Sequence, residues 1–187
     1  MDYGFGRGWQ AEGGARLSMG AAGLKAHFEM MAFYNAWANE RLYDAALALP
    51  DEDYRRDLGA FFRSIHGTLN HLFVADVIWM SRFRDLPNPP WSLDHIAHDN
   101  PRELRARREA LDCDIIGYVG SLTEAMLGQE FSYRTVTNPR KVTQQLWPML
   151  AHFFNHQTHH RGQCHAMLTR LTGEAPPLDL IFFQREQ

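Results

Sequence analysis

The sequence has little of several features that would assign it to a specialised class of protein. Its only cysteines, Cys113 and Cys164, are too few for a disulfide framework or a cysteine-based zinc site. No apolar run approaches the roughly 18–20 residues that cross a bilayer, and the first residues lack the basic-then-apolar order of a secretory signal. We therefore expect a cytoplasmic protein without a membrane partner.

A strong excess of charge of one sign is also missing. The formal net charge is −3, which gives no general attraction to nucleic acid or to anionic lipid. The arginine-rich stretch 102–108 is interrupted by Glu103 and followed by Glu109, a mixture typical of a solvated helix face. The sequence therefore argues against DNA binding, and we expect no nucleic-acid partner.

Four long segments carry the hydrophobic period of a helix, at about 21–49, 60–84, 100–128 and 143–172. Together they predict one all-α domain, a four-helix bundle over residues 21–187. The second segment is apolar nearly all round and should be central and buried. The glycine-rich residues 1–20 are interpreted as a disordered extension, and the sequence leaves open whether the natural start is Met1 or Met19.

Local signals mark the ends of these segments. Asn100 is expected to cap the third helix, with Pro101 as its first residue. Gly173, followed by two prolines, is expected to end the last helix. Between the third and fourth helices, residues 131–136 alternate in polarity and Asn138-Pro139 offers a turn. The sequence therefore predicts a short hairpin there.

Histidine is unusually abundant: five of the ten histidines fall between residues 152 and 165. His156 and His160 occupy positions of the apolar stripe of the fourth helix. At this spacing their rings lie on one side of the helix, roughly 6 Å apart along the axis, and can share a metal ion. The pair could equally bond to each other or to a carbonyl group. His152 with His156, and His156 with His159, are competing pairs that helical geometry alone does not exclude.

A metal site in a bundle needs ligands from facing helices. His66 and His71 in the second segment are five residues apart, about 140° around the axis, so both are not expected to reach one ion. His71 shares its side with small residues that would leave room for an ion: Ser64, Gly67, Thr68 and Ala75. A core histidine bonded to the backbone is an equal interpretation.

Four stretches together resemble one protein family. They read NHQTHHRGQ at 155–163, YNAWANERL at 34–42, LNHLFVAD at 69–76 and PPLDL at 176–180. The combination is similar to the damage-inducible, DinB-like (DinB/YfiT-like) metal-binding four-helix bundles and extends over about residues 24–181. The resemblance implies a homodimer and one divalent metal ion (zinc, nickel, iron or manganese) held by His71, His156 and His160. It implies that four other histidines do not bind the metal and lie either next to the ligands or at the surface: His66, His152, His159 and His165.

Several neighbouring polar residues are candidates to orient these ligands. Asp76 and Asn35 interrupt apolar stripes, although bonds to a neighbouring helix are the favoured interpretation of both. Gln163, three residues after His160, is close enough to reach it. Cys164 is interpreted as a small core residue and not as a ligand.

Three neutral imidazoles would leave a divalent ion its full charge and an open position for water. The resemblance implies a metal-dependent enzyme that acts on an unidentified small molecule. The favoured reaction is thiol-S-transferase-like, with a low-molecular-weight thiol as a further cofactor, and a hydrolase-like reaction is the other possibility. The alternative is a stress-response protein that binds a metal or small ligand without catalysis.

Overall fold

The computed structural model describes residues 23–136 and 140–187. Four long helices form the bundle: α1 (Leu24–Leu47), α3 (Ile65–Phe83), α4 (Pro101–Ser121) and α6 (Leu146–Thr172). Shorter elements complete the described fold: α2 (Asp51–Arg55), α5 (Glu124–Leu127), β1 (Glu130–Arg134), β2 (Lys141–Gln145) and α7 (Leu180–Arg185). The predicted four-helix bundle, with a hairpin before its last long helix, is confirmed. Within the described ranges, no helix is long and apolar enough to cross a membrane.

The long helices pack around two apolar clusters. Helix α1 lies against α4 and α6, while α3 lies against α6 and α4. One cluster is built around Phe28, Ile115 and Phe153, and the other around Leu42 and Leu69. Helix α3 is buried along most of its length, so the prediction that it is a central helix is confirmed.

A layer of buried polar residues separates the two clusters along all four long helices. It consists of Asn35 and Asn39 on α1, Asp76 on α3, Arg108 and Asp112 on α4, and Gln157 and Arg161 on α6. Burial raises the pKa of Asp76 to about 7, and the Arg108 guanidinium beside it opposes that shift. With Asp76 ionised, two carboxylates balance two guanidinium groups, which offsets the cost of burying these charges. We call this set the polar layer.

Hydrogen bonds within the polar layer join every long helix to its neighbours. Asp76 accepts from Arg108 Nη1 at 2.5 Å and also from the Gln157 amide. Asn35 donates to Asp112 at 3.0 Å and accepts from Arg161. Asp76 and Asn35 were expected to bond to neighbouring helices, and these contacts agree with that interpretation.

The polar layer also fixes the rotation of α6. Gln157 and Arg161, which are held by Asp76 and Asn35, each follow one of the predicted histidine ligands by one residue. One residue is a rotation of about 100° around a helix. His156 and His160 are therefore turned to a different side of α6 from the polar layer.

Several predicted boundaries differ from the structure. The first long helix begins at Leu24 and ends at Leu47, and not at about residues 21 and 49. The second long helix begins at Ile65 and not near residue 60, because Arg63 has a φ of 69° and Ser64 caps the helix by accepting from the Gly67 N–H. The third ends at Ser121 and not near Gly128, since Thr123 caps the separate helix α5.

The fourth predicted helix starts three residues later than expected. Thr143 to Gln145 pair with β1 as part of β2, so the helix begins at Leu146. Its end at Gly173 is confirmed, with a φ of 85° that favours glycine. The expected turn at Asn138-Pro139 and the expected extension over residues 1–20 lie outside the described residues.

Candidate metal centre

Side chains from two helices converge at one point inside the bundle. The Nε2 atom of His71, on α3, lies 3.3 Å from His156 Nε2 and 3.2 Å from His160 Nε2, both on α6. One ligand atom from each of the three residues lies within 4.8 Å of the others. His71 and His160 are buried and His156 is half-buried. The structure thus brings the three predicted ligands together, while their binding of a metal stays a prediction.

The backbone fixes the orientation and tautomer of His71. Its Nδ1 lies 2.7 Å from the carbonyl oxygen of Leu93, in the connection between α3 and α4. Because a carbonyl oxygen only accepts, Nδ1 carries the proton and Nε2 of the neutral ring presents a lone pair. The ring of Phe62 stacks on His71 with a centroid separation of 3.8 Å and covers one face of it.

A side-chain amide fixes His160 in the same way. Its Nδ1 lies 2.8 Å from Gln163 Oε1, and the amide nitrogen of Gln163 lies 3.2 Å from His159 Nε2. The amide oxygen accepts from His160, so the Nε2 atom of His160 also presents a lone pair. Gln163 therefore reaches His160, as its position in the sequence predicted.

Burial keeps these rings neutral. It lowers the pKa of His71 to about 4 and that of His156 to about 3, with repulsion from His160 adding to both shifts. Burial also lowers the pKa of His160. Near neutral pH no extra proton is available to bridge the Nε2 atoms of His71 and His160, so their two lone pairs face each other at 3.2 Å.

The spacing of these nitrogens fits a divalent metal ion. Nitrogen–zinc bonds of about 2.0–2.1 Å at tetrahedral angles separate two ligand nitrogens by about 3.3–3.4 Å. The observed separations of 3.2 and 3.3 Å are close to this value. A cation at the centre would turn the repulsion between lone pairs into three favourable bonds, so the residues present fit the group.

The remaining histidines lie outside this cluster. His66 faces α2, where its ring contacts Tyr54 edge-on at 5.3 Å. The ring of His152 is 5.9 Å from that of His156, and His159 bonds to Gln163. Of the competing pairs on α6, His156 and His160 are the two whose Nε2 atoms face His71.

Cys164 also lies outside the cluster, although it follows His160 by one turn. It is fully buried in the second apolar cluster, and burial raises the pKa of its thiol to about 12. A thiol with such a pKa is neither a nucleophile nor a ready metal ligand near neutral pH. The interpretation of Cys164 as a core residue agrees with this environment.

A cavity of about 220 Å³ lies beside the histidine cluster, and we call it the site cavity. Both His71 and His156 line it, together with Trp79, Arg82, Tyr133 and His152. The ring of Trp79 lies 5.1 Å from that of Tyr133, which the hairpin brings over the end of α3.

Sequence reasoning missed Leu93, Arg82 and Tyr133 as parts of the site. Leu93 contributes its backbone carbonyl group. Because every residue has one, the residue type at this position gave no signal. Tyr133 shares one face of β1 with Phe131. The alternation of residues 131–136 predicted a hairpin, but not which cavity either face would cover.

Comparison with known proteins agrees with this architecture. The family model described as "DinB family" matches residues 22–187. Protein DinB of Bacillus subtilis (strain 168) is 26% identical, over 78% of this chain and 87% of that protein.

A solved structure shares the fold. YfiT from Bacillus subtilis, described as a probable metal-dependent hydrolase with an unusual four-helix bundle topology, superposes with a TM-score of 0.60. The match covers 90% of this chain and 95% of YfiT, at 14% sequence identity. Because the family model extends over nearly the whole chain, this protein belongs to the DinB family.

Proposed function

We propose that this protein is a divalent-metal-dependent enzyme that acts on a small molecule, with hydrolysis as the favoured reaction. The observation that carries the proposal is the convergence of lone-pair nitrogens from His71 and His160, 3.2 Å apart, beside an open cavity. The description of YfiT as a probable metal-dependent hydrolase supports hydrolysis over thiol transfer.

The ligands would be His71, His156 and His160. A divalent ion held by three neutral imidazoles supplies Lewis acidity, lowering the pKa of bound water or polarising a carbonyl group. The chain's own contribution is to hold the rings in place: Leu93 and Gln163 accept the Nδ1 protons of His71 and His160, and Phe62 keeps water from one ring face.

The site cavity favours a catalytic role over simple metal storage. A metal held only for structure or storage needs no adjoining space, since its ligands can enclose it. Here about 220 Å³ lies against His71 and His156, walled by the aromatic rings of Trp79 and Tyr133. Aromatic walls with a few polar groups are typical of small-molecule sites.

Metal dependence can be tested directly. Protein stripped with a chelator should regain hydrolysis of small esters or amides on addition of zinc, nickel, iron(II) or manganese, assayed with and without a low-molecular-weight thiol. His160→Ala should abolish this turnover, whereas His165→Ala, a half-buried histidine on the same helix, should not. Turnover that His160→Ala leaves unchanged would refute the proposal. A metal-loaded protein that turns over no substrate in such a panel would favour the non-catalytic alternative.

Two further expectations stay predictions: a homodimer, which the family resemblance implies, and a cytoplasmic location, which was inferred from the composition. Sedimentation velocity at micromolar concentration tests the first, with a monomer of 21.6 kDa as the contrary result.

A further inference from the structure

Arg82 is a cationic residue in the wall of the site cavity. It lies near the end of α3, eleven residues after His71. Eleven residues are three helical turns and about 20°, so both residues lie on one face of the helix. The guanidinium of Arg82 therefore belongs to the same cavity as the histidine cluster, towards its other end.

Two aromatic rings and one carbonyl group hold the guanidinium in place. Its central carbon lies 4.6 Å from the ring centroid of Trp79 and 4.9 Å from that of Tyr133. Its Nη2 atom donates to the carbonyl oxygen of Arg134 at 3.0 Å. Stacking on aromatic faces leaves the edges of a guanidinium free to donate hydrogen bonds in its plane.

Arg82 has no anionic partner within the ranges that the structure describes. Its Nη2 atom bonds to a carbonyl group and its Nε atom is enclosed, but its Nη1 atom forms no hydrogen bond within these ranges and is not enclosed. Arg84, two residues further on, instead forms two bonds of 2.7 Å with the carboxylate of Asp114. A carboxylate is the acceptor that fits the free side of a guanidinium best.

The hairpin adds further positive charge next to Arg82. Arg134 and Lys141 are directly opposite each other in the register of β1 and β2, although like charges in this position repel. With Arg82 and Tyr133 they line a second, open hollow of about 440 Å³, in which Asp85 supplies a carboxylate. Three cations against one carboxylate make this hollow, which shares Arg82 and Tyr133 with the site cavity, attractive to anions.

We propose that Arg82 binds a carboxylate group of the substrate, and that the substrate is a small molecule of the dicarboxylate class. Its second oxygen-bearing group would face His71, His156 and His160, so the inference rests on the proposed function. The size of the cavity sets the size of the ligand. At about 30 Å³ per water molecule, 220 Å³ holds roughly seven waters, or an organic anion of similar atom count.

Succinate and butyrate are suitable probes because they have the same four-carbon chain and differ in one terminal group. Succinate has a carboxylate at both ends, whereas butyrate replaces one carboxylate with a methyl group, so a butyrate that binds the cobalt ion has no anion left for Arg82. Titration of each into cobalt-loaded protein, followed by the visible spectrum of the cobalt ion, gives both affinities. We expect succinate to bind at least tenfold more tightly than butyrate.

Substitutions assign this preference to one side chain. Arg82→Gln should weaken succinate binding about tenfold or more and leave butyrate binding unchanged. Arg84→Gln removes the same charge outside the cavity and should leave both affinities unchanged. Arg82→Lys, which keeps the charge but loses the planar fork, should retain part of the preference.

The outcomes separate this inference from the proposed function. A wild-type protein that binds no cobalt refutes the proposed function, and the inference falls with it. A cobalt-loaded protein that binds both probes equally, or that keeps its preference for succinate after Arg82→Gln, overturns the inference alone. If Arg82→Gln does not fold, the inference is tested by the wild-type comparison and by Arg82→Lys. An Arg82→Lys protein that keeps the whole preference for succinate, or loses all of it, would contradict the inference.

Discussion

The hydrogen bond from His160 to Gln163 allows a quantitative test of the candidate metal centre. His71 is oriented by a backbone carbonyl, which a substitution cannot remove, but His160 depends on a side chain at 2.8 Å. Gln163→Leu keeps the approximate size of the side chain and removes the acceptor. His160 Nδ1 then has no partner in a site where the histidine is only 8% exposed, so water replaces the lost acceptor poorly.

The expected magnitude follows from the role of such acceptors. Removing the group that orients a metal-bound histidine typically lowers metal affinity by about 10–100-fold. This range corresponds to about 1.4–2.8 kcal/mol. It agrees with the cost of about 1–3 kcal/mol for leaving one buried donor unsatisfied.

Competition with a chromophoric chelator would measure the zinc dissociation constant and the stoichiometry separately. Gln163→Leu should weaken binding by the stated factor at an unchanged stoichiometry of one ion per chain. Gln163→Glu should restore wild-type affinity or exceed it, because a carboxylate accepts more strongly from His160. His165→Leu serves as the control, since His165 lies on the same helix but outside the histidine cluster. An affinity of Gln163→Leu within twofold of the wild type would show that the contact does not orient a ligand.

Three further predictions address the cluster, the polar layer and the core. Zinc at 100 times its dissociation constant should stabilise the fold by about 2.7 kcal/mol and raise the melting temperature by about 5–10 °C. Measured by calorimetry, this shift should be absent in His71→Ala and present in His66→Ala. Asp76→Asn should lower the free energy of unfolding in urea by about 3–5 kcal/mol, because it leaves the polar layer with an excess positive charge. Its zinc stoichiometry should stay unchanged, and a lost ion would instead place Asp76 in the metal centre. A thiol reagent should modify the exposed Cys113 in the native protein and the buried Cys164 only after denaturation, so rapid modification of both thiols would contradict the assigned core.

The sequence predicted the long helices because their evidence is local. Hydrophobic period, the cap at Asn100 and the glycine at 173 act over one or two helical turns, and the structure follows them. Of the boundaries that differed, the start of α3 and the end of α4 follow from local caps at Ser64 and Thr123, whereas the start of α6 depends on a contact between distant segments. Residues 143–145 continue the hydrophobic pattern of a helix, yet they pair with β1. Nothing in the neighbouring sequence indicated this pairing.

The candidate ligands were only partly accessible from the sequence. Helical spacing placed His156 and His160 on one side of α6, but it allowed the pairs formed with His152 and His159 equally well. The choice depended on the resemblance to a family. In the structure, the bonds from Gln157 and Arg161 to the polar layer set the rotation of α6.

By itself the sequence determined an all-α chain with a surplus of histidine on its last long helix. Periodicity, caps and composition are properties of neighbouring residues, so they can be read without coordinates. Tertiary structure alone decided which nitrogen of His71 faces α6, because that depends on the carbonyl of Leu93. It also decided that Arg82 shares a cavity with the cluster, since the wall of that cavity comes from α3, α6 and a hairpin distant in sequence.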